Sequence, residues 1–233
     1  MLYLHEIIDI VGAGSESYLS TVAARGFHSA GENISRLMGT WKVIGSTNRW
    51  PRVVNMWEMD GWDHWAESLE RQFFPSKKDP ALAPWWAKAT EWRSGGFDRI
   101  CEPTAYSPTC AEMQQNGFKA WVCVHSLVQL APGKRDAYLA AVGDTLVPVL
   151  AARGLVLMGA YSVPMRSDEA LLLWAAPDFR FLCRLYAERL RDPELQHWRS
   201  RVDAWQLAEE TMWIVPSADC FFHPDYRGAD AAR

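Results

Sequence analysis

Residues 2–10, LYLHEIIDI, are apolar and β-branched enough for a strand. Alternation puts Leu2, Leu4, Glu6, Ile8 and Ile10 on one face and Tyr3, His5, Ile7 and Asp9 on the other. Gly12, Gly14 and Ser15 break the pattern, and Ser15 or Ser17 can cap a helix beginning there. From Tyr18 to Leu37 the spacing changes: Tyr18, Leu19, Val22, Ala23, Phe27, Ala30, Ile34 and Leu37 recur at three- and four-residue steps, predicting an amphipathic helix ended by Gly39. Residues 40–45 and 52–59 predict a hairpin around a Gly45–Pro51 turn. Helices are expected over 62–74 and 81–94, separated by a Pro75–Pro80 break, and a strand over 97–102. A strand, a crossing helix, a hairpin and a second helical segment returning to a last strand form a ferredoxin-like β-α-β-β-α-β unit.

The same pattern then returns. Adding 120 carries His5 to His125, Tyr18 to Tyr138, Val22 to Val142 and Leu37-Met38-Gly39 onto Leu157-Met158-Gly159. Two short deletions lower the offset, to 117 for Trp57 and Trp174, then to 113 for Trp85 and Trp198, Trp92 and Trp205, and Pro103 and Pro216. An ordered run of matches with only shrinking offsets marks a duplicated unit. The expected division is 1–103 for the first repeat, 104–117 for a linker without apolar period, 118–217 for the second repeat and 218–233 for a loosely ordered tail. In the second copy strands are expected at 119–130, 156–163, 170–176 and 210–215, and helices at 132–152, 178–191 and 193–207. Each sheet has helices on one face only. The fold class is therefore α+β, with two tandem repeats laying their bare faces together as an intramolecular barrel.

Composition narrows the partners. A net charge of −4 with no basic stripe argues against nucleic acid and anionic membrane. Thirteen tryptophans imply thick aromatic packing or an aromatic-lined cavity. The five cysteines have no CxxC spacing and read as free thiols in a reducing compartment. With no basic leader and no apolar run of 18 residues, a cytoplasmic location is expected.

The helix start at 132–139, Pro-Gly-Lys-Arg-Asp-Ala-Tyr-Leu, comes after a strand, and a Met-Gly pair precedes each hairpin. Two fused units of this kind resemble the dimeric α+β barrel superfamily, and NIPSNAP-like proteins within it. The resemblance covers about 3–103 and 119–216, and the first repeat departs from it with Gly12-Ala13 in place of Pro132-Gly133. That superfamily includes cofactor-free monooxygenases, cyclases, isomerases, dehydratases, haem peroxidases and members without known activity. The resemblance thus implies a cavity against a sheet rather than one reaction.

Candidate chemistry sits on strands. His5 and His125 are equivalent, face the space between the sheets, and could move protons near neutral pH or simply hydrogen-bond as an interface pair. Glu6 lies on the face under the helices, where Ser126 replaces it in the second copy; burial there suits a general acid or base, and an ion pair with Arg25 or Arg36 is the alternative. The loss of this carboxylate from one copy favours a single working site in the first half. Asp9 and Glu58 are further strand carboxylates without counterparts. Tyr3, Trp41, Trp57, Tyr161 and Trp174 could stack on a flat ligand or fill a core, and Arg49 could close a cavity mouth or stand exposed in its turn. No HxxxH, HExxH, CxxC, Gly-rich phosphate loop or GxSxG occurs, and no residue stands out as a haem ligand. The expectation is a cofactor-independent enzyme, without metal, doing proton-transfer chemistry (lyase, isomerase or cyclase type) or oxygenation on a hydrophobic, aromatic or polycyclic small molecule. The competing expectation is a NIPSNAP-like binding or scaffold protein. A homodimer of the two-repeat chain is compatible with either.

Overall fold

The computed structural model describes residues 1–28, 35–78, 80 and 82–226. In the first half β1 (Leu2–Ile10) is followed by α1 (Ser15–His28), β2 (Arg36–Val43), β3 (Arg52–Met59), α2 (Trp62–Phe73), α3 (Leu82–Thr90) and β4 (Arg93–Pro103). A short α4 (Cys110–Gln115) leads to the second half. There β5 (Val122–Leu130) precedes α5 (Arg135–Ala141), a π turn (Val142–Leu146) and α6 (Val147–Ala151). Then come β6 (Val156–Ser162), β7 (Glu169–Ala176), α7 (Phe179–Glu188), α8 (Pro193–Val202) and β8 (Gln206–Pro216). The eight strands close in the order β1-β3-β2-β8-β5-β7-β6-β4.

Within each half the pairing is long: β1 runs antiparallel to both β3 and β4, and β5 to both β7 and β8. The seams between halves are short, Trp41–Val43 against Ile214–Pro216 and Glu102–Pro103 against Tyr161–Ser162. Side chains inside the barrel therefore carry much of the closure. Alternation along β1 works as the sequence indicates. Tyr3 and Ile7 point into the shared interior with Trp41, Met56, Tyr161, Leu171 and Met212, while Ile8 and Ile10 pack under α1 with Tyr18, Leu19 and Val22. In the second half Val122, Val124 and Val128 pack under α5 to α8 in the same way. Burial of this many large apolar side chains, each worth about 1.5–3 kcal/mol, is what makes the closed form favourable.

Three expectations need correction. The helix predicted through Leu37 instead ends at His28 among the described residues, and Arg36–Val43 is strand; Ala30 and Ile34 lie outside the described residues. Gly39 is not a helix stop. The pairing of β2 with β3 slips between Leu37 and Gly39, and the ring of Trp41 folds back so that a Cβ at Gly39 would lie 2.5 Å from it. The second copy repeats the device, with the same slip between Leu157 and Gly159 and Tyr161 covering Gly159. The repeated Met-Gly pair is thus a bulge that needs a residue without a side chain.

The stretch expected to be a linker without apolar period contains α4, started by a capping box in which Thr109 and Glu112 bond each other's backbone N–H. Cys110 and Met113 of α4 enter the barrel core. Just before it, the Tyr106 hydroxyl donates to the Leu139 carbonyl near the π turn, 2.6 Å away. The tail expected to be loose also reaches inward. Cys220 and Phe222 are completely buried, Phe222 stacks on Trp41, and its carbonyl accepts from the Ala120 N–H. Both segments supply apolar side chains to an interior that the inward strand positions do not fill on their own.

Candidate functional site

Inside the barrel the two histidines meet. His5 Nε2 and His125 Nε2 lie 2.8 Å apart with the rings stacked, and both residues are 1% exposed. One must donate and the other accept, so the bond needs at least one neutral ring. Burial, then His125 and the Arg99 guanidinium, hold His5 well below its ordinary value, and burial followed by Arg99 lowers His125 to about 3. Both stay neutral at physiological pH. Neither lines the cavity under the second-half helices, so the geometry favours the interface pair over the proton carrier. Tyr3, Trp41 and Tyr161 are also interior core rather than cavity walls.

The remaining barrel-facing carboxylates are occupied. Glu58 accepts from the Tyr3 hydroxyl at 2.6 Å, Arg36 Nε at 2.9 Å and the Cys110 N–H at 2.9 Å, which makes it the anchor of α4. Asp9 is engaged by Arg52 Nε at 2.8 Å, with Arg49 at 3.6 Å. Arg49 is itself exposed at the turn, and Arg36 bonds Glu58 and Asp60 rather than Glu6.

The outer faces of the two sheets, under the helices, are where the halves differ. In the first half Glu6 is 7% exposed, and one of its oxygens accepts from Trp57 Nε1 at 2.8 Å and Asn55 Nδ2 at 3.0 Å. Asn55 also donates to the Tyr18 hydroxyl and accepts from Thr40 Oγ1 at 2.6 Å. Asp98 sits directly across from Glu6 on β4. It is an exposed residue, and desolvation against the sheet, then the Glu6 charge, raise its carboxyl to about 6. The Arg25 side chain lies outside the described residues.

In the second half the same positions hold Ser126, Leu172, Ala160 and Thr211, while Trp174 and Tyr138 keep the places of Trp57 and Tyr18. Removing the large polar side chains leaves a cavity of about 320 Å³ between β5, β7 and β8 and helices α5 to α8, open to solvent on one side. Its apolar wall includes Val124, Leu146, Leu150, Leu172, Leu195 and Trp198. Its polar groups are the Ser126 and Thr211 hydroxyls, 3.1 Å apart, with Tyr138, Trp174, Glu209, and Arg189 and Arg199 near the opening. Leu146 closes the π turn, a helix irregularity often found beside binding sites.

Sequence reasoning named Glu6, Ser126, Trp57 and Trp174. It missed Asn55, Asp98, Tyr138, Thr211, Glu209 and the two arginines. The repeat offsets of 117 and 113 already pair Asn55 with Leu172 and Asp98 with Thr211, but only strand register shows that these residues lie across from Glu6 and Ser126. No group of three or more metal-ligating side chains occurs among the described residues, and no helix there is long and apolar enough to cross a membrane.

No family model matches the sequence, and no curated protein is detectably related to it. Solved structures do match. An anthrone oxidase-like protein aligns at 10% identity over 93% of this chain and 91% of its own, with a TM-score of 0.65. A candidate monooxygenase from Lactobacillus acidophilus aligns at 10% identity over 92% and 93%, with a TM-score of 0.61. A NIPSNAP-domain protein from Burkholderia xenovorans covers 47% of this chain with 100% of its own length, at 20% identity and a TM-score of 0.38. At these identities the likeness concerns fold. The chain has the dimeric α+β barrel fold, with both ferredoxin-like halves in one polypeptide.

Proposed function

We propose that this protein binds a hydrophobic small molecule under the helices of its second half. The observation that carries the reading is the open cavity of about 320 Å³, lined by leucine and aromatic side chains together with hydroxyl, indole, guanidinium and carboxylate groups. It has roughly twice the volume of an engineered cavity of about 150 Å³ that holds benzene, so a two-ring molecule is the right size. Whole-chain likeness to an anthrone oxidase-like protein and to a candidate monooxygenase agrees with an aromatic ligand, although those names belong to other proteins.

The test is a titration with the neutral fluorophore 1-N-phenylnaphthylamine. Saturable one-to-one binding is expected, and Leu150→Trp, which fills the cavity, should remove it while leaving the circular dichroism unchanged. Binding that never saturates, or that survives Leu150→Trp, would sink the reading.

A second reading is a cofactor-free enzyme, favoured by the adjacent Glu6 and Asp98 carboxyls. Two neighbouring carboxyls, one of them poised at about 6, can take and return a proton near neutral pH. On that reading the proton-transfer site lies in the first half and needs no metal or nucleotide.

A further inference from the structure

The two halves can be read as one site seen twice, once with its central polar group built into the chain and once without it. Trp57 and Trp174 stand at matching places, opposite Leu4 and Val124 on the first strand of each half. Tyr18 and Tyr138 occupy the same helical position, 120 residues apart. In the first half, the Trp57 indole N–H is satisfied by the Glu6 carboxylate. In the second half, Ser126 is too short to reach that place, and its hydroxyl is turned to Thr211.

Trp174 is 3% exposed and Tyr138 2% exposed, and among the described residues neither the indole N–H nor the phenol makes a hydrogen bond. Both line the cavity. Neither polar atom is sealed off from solvent, so each is a donor open to the cavity, where an acceptor on a bound molecule can take the place of water. Burial, and then the Glu209 charge, push the Tyr138 phenol well above its ordinary value, so it is a donor at any physiological pH.

We infer that the ligand of the second-half cavity carries a carboxylate, which accepts from Trp174 in the place that Glu6 fills in the first half and also from Tyr138, whose counterpart Tyr18 is met there by Asn55. The inference rests on the cavity being a ligand site and adds the chemical class of the molecule it holds. The lining carries one net positive charge: Arg189 and Arg199 stand against Glu209, which keeps its charge while accepting from Gln206 Nε2 at 3.0 Å and Thr211 Oγ1 at 3.2 Å. The apolar wall then takes the rest of the molecule, which makes an aromatic or otherwise rigid hydrophobic carboxylic acid the expected class.

The test compares 2-naphthoate with 2-methylnaphthalene, which has the same rings and no acceptor, by calorimetry on the full chain. Naphthoate should bind at least about tenfold more tightly, the size expected for a hydrogen bond to a charged group. Trp174→Phe and Tyr138→Phe should each reduce that preference and leave 2-methylnaphthalene unchanged. Ser126→Glu, which restores the first-half carboxylate, should abolish naphthoate binding while the unfolding temperature stays at or above that of the wild type. Equal affinity for the two compounds would overturn the carboxylate inference and leave the cavity standing as a site. Binding of neither would overturn both. Undiminished naphthoate binding by Ser126→Glu would place the acid elsewhere and also overturn the inference.

Discussion

The outer faces of the two sheets began as copies and now do opposite things with the same scaffold. In the first half Glu6, Asn55, Thr40 and Tyr18 bond one another and Trp57, so that space is filled by a polar cluster belonging to the chain. In the second half Ser126, Leu172 and Ala160 hold the corresponding places, and the space is open to a visitor. The histidine pair at the centre of the interior shows the reverse relation: His5 and His125 stay identical and face each other. A position near the pseudo-twofold axis is in contact with its own twin, so changing one copy disturbs the other. The Glu6 and Ser126 side chains bond only within their own halves and were free to diverge.

The largest effect should appear where the halves agree. The folded state keeps both histidines neutral, whereas the unfolded chain protonates them below about 6.5. Between that value and about 3 the unfolded state binds more protons, so stability must fall as pH falls through this window, approaching about two protons in slope. Asp98 works against this: its raised folded value makes the folded state bind the extra proton between about 4 and 6. The histidines outnumber it. Urea unfolding from about pH 7 to about 4.5, inside that window, should show the decline, and His5→Gln combined with His125→Gln should flatten it. An unchanged slope in the double variant would mean that the pair is not neutral and buried as described.

Next in size is the difference between Glu6 and Ser126. Glu6→Ala strands the Trp57 and Asn55 donors and should cost about 2–5 kcal/mol in equilibrium unfolding, while Ser126→Ala should cost less than about 1 kcal/mol. Equal costs would erase the contrast between a filled half and an open one. The smallest effect is a local titration. The Asp98 carboxyl, observed by carbon-13 NMR, should have a midpoint near 6 that moves down when Glu6 is changed to Gln, because the neighbouring negative charge is then gone. A midpoint that stays in place would leave Glu6 without influence on it and remove the proton-transfer reading.

The duplication, the order of elements and the inside–outside alternation of β1 and β5 were legible in the sequence, because they depend on periodicity and on matches along one chain. The equivalence of His5 with His125 and the loss of Glu6 at Ser126 were legible for the same reason. The bulge at Gly39 was not, since nothing nearby in sequence tells a helix stop from a glycine covered by the ring of Trp41. Asp98 went unnoticed because its meaning depends on Glu6 lying opposite it, on a strand at the other end of the first repeat.

The sequence by itself therefore determined that two like units make up this protein, which faces of their strands are apolar, and where the copies differ. Only the tertiary structure decided what those differences mean. Strand register brings Glu6 to Trp57, and helix packing leaves room beside Trp174; closure of the barrel turns two histidines into one bonded pair. Hydrogen bonds and cavities depend on distances of a few ångströms between residues far apart along the chain, and periodicity carries no information at that scale.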